Sequence, residues 1–156
     1  LRDRFGEKCM IGAGTAISVD LAKAAIGAGA QFLLTPGTPI DVLQYCAKKD
    51  IMLLPGVFTP GDVATSLEFG YKTMKLFPAG CAPKGYLKAL KGPYDEANYI
   101  AIGGVTIDNI NDYFKEGYMG VGLASNLMPL SVLKDKNWDL GVSYVQKYVS
   151  RVKRRV

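Results

Sequence analysis

Six short apolar runs recur along the chain, at residues 9–12, 31–35, 51–55, 73–77, 99–103 and 119–123, with starts 20 to 26 residues apart. They are rich in Ile, Leu, Val and Met. Most close on Gly, Pro or Thr, after which a polar start signal leads into an amphipathic helical pattern. The start signals resemble one another. Thr38-Pro39-Ile40-Asp41 and Thr59-Pro60-Gly61-Asp62 each offer Thr as N-cap, Pro at the first helical position and an acid at the third. Ser18-Val19-Asp20 and Thr106-Ile107-Asp108 are looser versions. Val42, Leu43, Cys46 and Ala47 share one predicted helix face, as do Val63, Leu67 and Phe69. Residues 1–5 read as the end of a helix closed by Gly6. A last helix is predicted over about 138–155, with Val142, Val145, Val149, Val152 and Val156 as its buried stripe.

A tandem strand–helix array implies parallel strands with right-handed crossovers. The choice is between an open doubly wound sheet and a closed (β/α)8 TIM barrel. The near-constant period and the glycines at strand ends favour the barrel. A barrel of eight units needs at least ~200 residues, and this chain of 156 residues holds about six βα units. The expectation is therefore a single barrel domain over 1–156 that lacks its first two βα units.

Composition narrows the chemistry. Hydrophobic residues make up 49% and charged residues 21%, as in a chain that buries a core. There is no histidine, which removes Ser-His-Asp and Cys-His nucleophile pairs and His-ligated metal sites; no metal site is expected. Three widely spaced cysteines without a CxxC motif argue against a disulfide framework and for a reducing compartment, the cytoplasm. No apolar run approaches the ~20 residues of a membrane span. The net charge of +5 is uneven: Lys147, Arg151, Lys153, Arg154 and Arg155 close the chain without an acid, while the remainder is balanced. The basic end lacks aromatic platforms, so we expect a solvated helix end and no nucleic-acid partner.

In a barrel, function sits at the C-terminal ends of the strands. Strand alternation puts Thr73, Lys75 and Phe77 on one face and Met74 and Leu76 on the other. With Met74 and Leu76 toward the helices, Lys75 points inward. Desolvation there lowers its pKa, and a neutral amine can form a Schiff base with a ketone. A lysine that binds an anion at the barrel mouth fits the residues equally well. Gly103-Gly104 and the segment from Gly120 to Ser125 offer backbone N–H groups and a hydroxyl for phosphate; glycines that only relieve crowding are the alternative. Gly12-Ala13-Gly14-Thr15 begins like a dinucleotide loop, but Ile17 replaces its third glycine; a carboxylate-binding loop or a simple cap remain open. Cys81 reads as a small apolar filler.

Together these segments resemble the bacterial 2-keto-3-deoxy-6-phosphogluconate (KDPG) / 4-hydroxy-2-oxoglutarate (KHG) aldolase family. The matching pieces are Ile11-Gly12-Ala13-Gly14-Thr15, Thr35-Pro36-Gly37, Leu54-Pro55-Gly56, Lys75-Leu76-Phe77-Pro78-Ala79, Tyr86-Leu87-Lys88-Ala89-Leu90 and Gly103-Gly104-Val105, in family order. The resemblance implies a cofactor-free class I aldolase, usually trimeric. Lys75 would be the imine lysine, and Gly14 and Thr15 would hold the carboxylate. Pro36 and Phe77 would line the site, and Gly103, Gly104 and Ser125 would hold the phosphate. The substrates implied are a phosphorylated keto acid and pyruvate. The family's acid/base glutamate and a carboxylate-binding arginine fall upstream of Leu1 in the pattern, which leaves a non-catalytic phosphate-binding barrel fragment as a second expectation. Gluconate-directed members carry Pro-Thr before the glycine pair. Ala101-Ile102 stands here instead, closer to galactonate-directed members.

Overall fold

The computed structural model describes residues 1–153. Its strands are β1 (Gly12–Ala13), β2 (Phe32–Leu34), β3 (Leu53–Leu54), β4 (Gly56–Val57), β5 (Thr73–Leu76), β6 (Asn98–Ile102) and β7 (Gly120–Gly122). Its helices are α1 (Arg2–Phe5), α2 (Val19–Gly27), α3 (Ile40–Lys48), α4 (Pro60–Glu68), α5 (Tyr86–Lys91), α6 (Ile110–Glu116), α7 (Leu130–Lys134) and α8 (Trp138–Lys153). All pairings are parallel, and strand order follows chain order, β1-β2-β3 and β4-β5-β6-β7. A doubly wound sheet reverses direction part-way. This one never does, so right-handed crossovers keep all helices on one face, as a barrel requires.

The third apolar run is not one strand. Pro55 divides it into β3, which pairs with β2, and β4, which pairs with β5. The Pro55 carbonyl accepts from Lys75 N at 2.8 Å, but proline has no N–H to return to the ladder. Thr35 closes the gap: its hydroxyl, fully buried, accepts from Gly56 N at 3.1 Å and donates to Gly37 O at 2.6 Å. The Pro36 backbone crosses directly over Gly56, where an added Cβ would lie 2.4 Å from the Pro36 carbonyl carbon. Two hydrophobic clusters meet here. One holds Leu33, Val42, Leu43, Cys46 and Leu53; the other holds Val57, Val63, Met74, Leu76, Tyr99 and Ile110. Met74 and Leu76 are fully buried, each worth about 1.5–3 kcal/mol of apolar transfer.

Helix starts follow the sequence in part. Ser18 Oγ accepts from Leu21 N, and Thr59 forms a full capping box with Asp62. Thr38, expected as the cap of α3, is not. Pro39 holds that position, and the Thr38 hydroxyl donates to Asp62 Oδ1 at 3.2 Å. That carboxylate also accepts from Phe58 N, Thr59 N and Thr59 Oγ1. Burial works to raise the Asp62 pKa, but these donors outweigh it and hold the pKa below its ordinary value. The helix expected after Thr106 begins later, capped at Asn109, because Thr106 and Asn109 exchange side-chain–backbone bonds first. Gly6 closes α1 in a right-handed conformation (φ −62°), not the left-handed one of a glycine C-cap.

Two expected faces are corrected. Ala47 is exposed, while Val42, Leu43 and Cys46 are buried. The valine stripe of α8 is split, with Val142 54% and Val149 43% exposed. The buried line runs instead through Gly141, Val145, Tyr148 and Val152. At about 100° per residue, Val142 and Val149 sit roughly a quarter-turn off that line. Gly141 lets α8 close on Val132 and Met128. Val156 and the end of the predicted helix lie outside the described residues. Among the described residues, no helix is long and apolar enough to cross a membrane.

Gly56→Ala is expected to lose about 3 kcal/mol, because the clash is with backbone that cannot rotate away. A urea titration should show a lower midpoint at unchanged slope.

Candidate active site

Lys75 is the centre of the arrangement. It lies on β5 in register with Gly56 on one side and Ile100 on the other. Its chain neighbours Met74 and Leu76 are buried under the helices, whereas Lys75 is half-buried on the opposite face. The ammonium nitrogen sits 4.2 Å from the Phe77 ring centroid, a cation–π contact two residues along the same strand face. Among the described residues, no carboxylate oxygen lies within 4.0 Å of it. Desolvation therefore acts without an opposing ion pair, and the Lys75 pKa falls below its ordinary value.

The glycine pair is packed against the end of the lysine strand. Gly103 and Gly104 both have left-handed φ, +89° and +81°. An added Cβ on Gly103 would meet the Phe77 ring at 3.1 Å, and one on Gly104 would meet Gly80 Cα at 2.9 Å. Gly80 N donates to Gly103 O at 2.8 Å. Here the glycines do relieve crowding, and in doing so they bring the loop after β6 against the loop after β5. Gly103 touches Phe77, which touches Lys75.

The other predicted residues lie at the same strand ends at varying remove. Pro36 reaches Lys75 through Gly56, which it overlies and which pairs with Lys75. Gly14 and Thr15 are exposed on the loop after β1, tied inward by Ala16 N donating to Leu34 O. Thr15 has φ +63°, a strained conformation for a β-branched residue that costs about 1–3 kcal/mol. Its hydroxyl makes no hydrogen bond among the described residues. Ser125 is exposed on the loop after β7. Among the described residues, no hydrogen bond joins it to the glycine pair. Its neighbour Asn126 joins the loops, donating to Val105 O at 3.1 Å while its own carbonyl accepts from Tyr148 at 2.7 Å.

Three supporting residues carried no role in the sequence reading. Thr35 is the hub between β2 and β4, and its position before Pro36-Gly37 was the available signal. Asn109 donates to Gly104 O at 2.9 Å and pairs with Thr106 at the three-residue spacing of a side-chain turn. Asn126 has no local signature, because its partner lies on another loop. Cys81, expected as an apolar filler, is exposed. A cleft of about 640 Å³ lies between residues 79–84 and α6, away from Lys75. Among the described residues, no group of three or more His, Cys, Asp or Glu is placed to hold a metal ion.

The family model for KDPG and KHG aldolase matches residues 2–143. The chain belongs to that family. It is 31% identical over 148 residues to the 2-dehydro-3-deoxy-6-phosphogalactonate aldolase of Escherichia coli (strain K12), covering 94% of this chain and 72% of the relative. It is 34% identical over 130 residues to the 2-dehydro-3-deoxy-phosphogluconate aldolase of Pseudomonas aeruginosa, covering 82% of this chain and 59% of the relative. Among solved structures, the KDPG aldolase of Legionella pneumophila with pyruvate captured as a covalent carbinolamine superposes with a TM-score of 0.85 at 31% identity, over 93% of this chain and 70% of that one. A native KDPGal structure gives 0.82 at 29% identity, over 97% and 74%. These KDPG aldolase neighbours are of TIM-barrel type, in agreement with the sequential parallel strand order.

Lys75→Met is expected to raise thermal stability at neutral pH. A lysine whose folded pKa is depressed destabilises the fold below that pKa, and the penalty lifts as pH rises toward the unfolded value of ~10.4. Melting temperatures of the two proteins should converge between neutral pH and pH 10.

Proposed function

We propose that this chain carries out class I aldol cleavage of a 2-keto-3-deoxy-6-phospho sugar acid to pyruvate and glyceraldehyde 3-phosphate, with Lys75 as the Schiff-base residue. The observation that carries this is Lys75 itself, desolvated on the inner strand face and without a carboxylate partner among the described residues. The neutral amine attacks the C2 ketone to give a carbinolamine, and loss of water gives an iminium. The iminium draws electrons from the C3–C4 bond, which breaks as the C4 hydroxyl gives up its proton. The aldehyde departs, the enamine takes a proton at C3, and hydrolysis frees pyruvate and the lysine. In the family pattern a glutamate moves these protons. General acid–base help of that kind is worth roughly 10²–10⁴-fold in rate.

In this reading the Thr15 hydroxyl and the open backbone at Gly14 hold the keto-acid carboxylate, and Pro36 and Phe77 wall the site. Gly103, Gly104 and Ser125 take the phosphate. The working form is a cytoplasmic homotrimer, and cleavage of 4-hydroxy-2-oxoglutarate to pyruvate and glyoxylate is a second activity of the same lysine. A galactonate-series preference is the alternative supported by Ile102. It faces the same side as Lys75, lies against Gly122 and offers hydrocarbon to the substrate hydroxyls.

Borohydride reduction in the presence of pyruvate should add a stable mass to the peptide containing Lys75 and none to Lys75→Met. Pyruvate release in a lactate dehydrogenase-coupled assay, run with gluconate- and galactonate-series substrates, then ranks the epimers. A protein that binds phosphosugar yet forms no adduct is a non-catalytic phosphate-binding barrel.

A further inference from the structure

The phosphate loops in this reading supply N–H groups and a hydroxyl but no formal charge, since Gly103, Gly104 and Ser125 are all neutral. A phosphomonoester is a dianion near neutral pH, and hydrogen bonds from a cation to phosphate are about twice as strong as neutral ones. The search for a cation leads to α8. Ser125 and Asn126 line a hollow of about 340 Å³ together with Ile107, Tyr144 and Lys147. A second hollow of about 430 Å³ runs on from it, lined by Ile107, Ser143, Gln146, Lys147, Ser150 and Arg151. Ile107 and Lys147 belong to both. The two hollows thus form one trough, with Lys147 at its waist and the Ser125 loop at one end.

Three features suit an anion. Among the described residues, no acidic side chain lines either hollow. No carboxylate oxygen lies within 4.0 Å of the Lys147 or Arg151 side chain among the described residues. The last ten residues of the chain carry five cations and no acid. The Lys147 ammonium is also placed: it lies 5.1 Å from the Tyr144 ring centroid, one turn back on the same face. Asn126, beside Ser125, is fixed by its bond to Val105 O, and its carbonyl by the Tyr148 hydroxyl. The loop end of the trough therefore has ordered walls.

We propose that Lys147, with Ser125 and Asn126, forms a charged seat for a phosphate group, and that Arg151 extends it along α8. This deepens the phosphate-binding reading above and rests on it for the identity of the natural ligand. The seat itself is a claim about binding and stands without catalysis. It gives Lys147 and Arg151 a defined task, recognition of a small phosphomonoester.

The test is a titration of the 15N-labelled chain with inorganic phosphate and with glycerol 3-phosphate at low salt. The expected result is saturable shifts at the Ser125 and Asn126 amides and at the Lys147 side chain. Lys147→Met should weaken the apparent Kd about tenfold, the loss of one charge-assisted contact, and Lys147→Arg should retain most of the affinity. Lys48→Met, an exposed charge on α3, controls for net charge. Shifts confined to Gly103 and Gly104 with an unaltered Kd in Lys147→Met would overturn the proposal, as would equal weakening by Lys48→Met or no saturable binding. Pyruvate carries no phosphate, so borohydride trapping at Lys75 in the unsubstituted chain reports separately on the imine reading.

Discussion

The crossing of the Pro36 backbone over Gly56 is the constraint on which the rest of the molecule depends. Pro55 interrupts the ladder between two groups of strands, and the Thr35 hydroxyl and this close approach help carry it across. Leu53 on one side and Val57 on the other anchor the two hydrophobic clusters. Gly56 is also the register partner of Lys75. The same atom-scale clearance that joins the two groups of strands thus lies beside Lys75 in the sheet.

A second set of contacts determines what the amine can do. Phe77 lies between Lys75 and Gly103, and Gly80 lies against Gly104. The loops after β5 and β6 are therefore packed and hydrogen-bonded to each other. Two opposing electrostatic effects act on Lys75. Burial disfavours the ammonium, and the Phe77 ring face favours it. Burial prevails, and the pKa of the Lys75 ammonium lies below its ordinary value.

Much of this was legible in the sequence because it rests on local rules. The six runs gave the strand order, and alternation around Met74 and Leu76 turned Lys75 inward. The capping box at Thr59 and Asp62 follows from spacing alone. What was missed depends on atoms distant in the chain. Thr38 looked like a cap until the carboxylate of Asp62, 24 residues away, took its hydroxyl. The valine stripe of α8 met the periodicity rule, yet Gly141 and Tyr148 set which face packs, since a small residue and a hydrogen-bonded ring admit closer approach than two valines. The left-handed backbone at Thr15 has no sequence signature, because a β-branched residue is a poor candidate for that conformation. The resemblance named Lys75, Thr15 and Ser125 but could not say how far apart their loops stand. Lys75, Phe77 and Gly103 form one contact chain, whereas Thr15 and Ser125 belong to the flanks.

The outermost strands, β1 and β7, carry glycines that face large side chains on the next strand inward. The Phe32 ring fills the space above Gly12, and Ile102 fills that above Gly122. The hydrocarbon on these rims is thus borrowed from within. Substitution at either glycine is therefore coupled to its neighbour: a methyl group at position 12 or 122 has to displace the Phe32 ring or the Ile102 side chain.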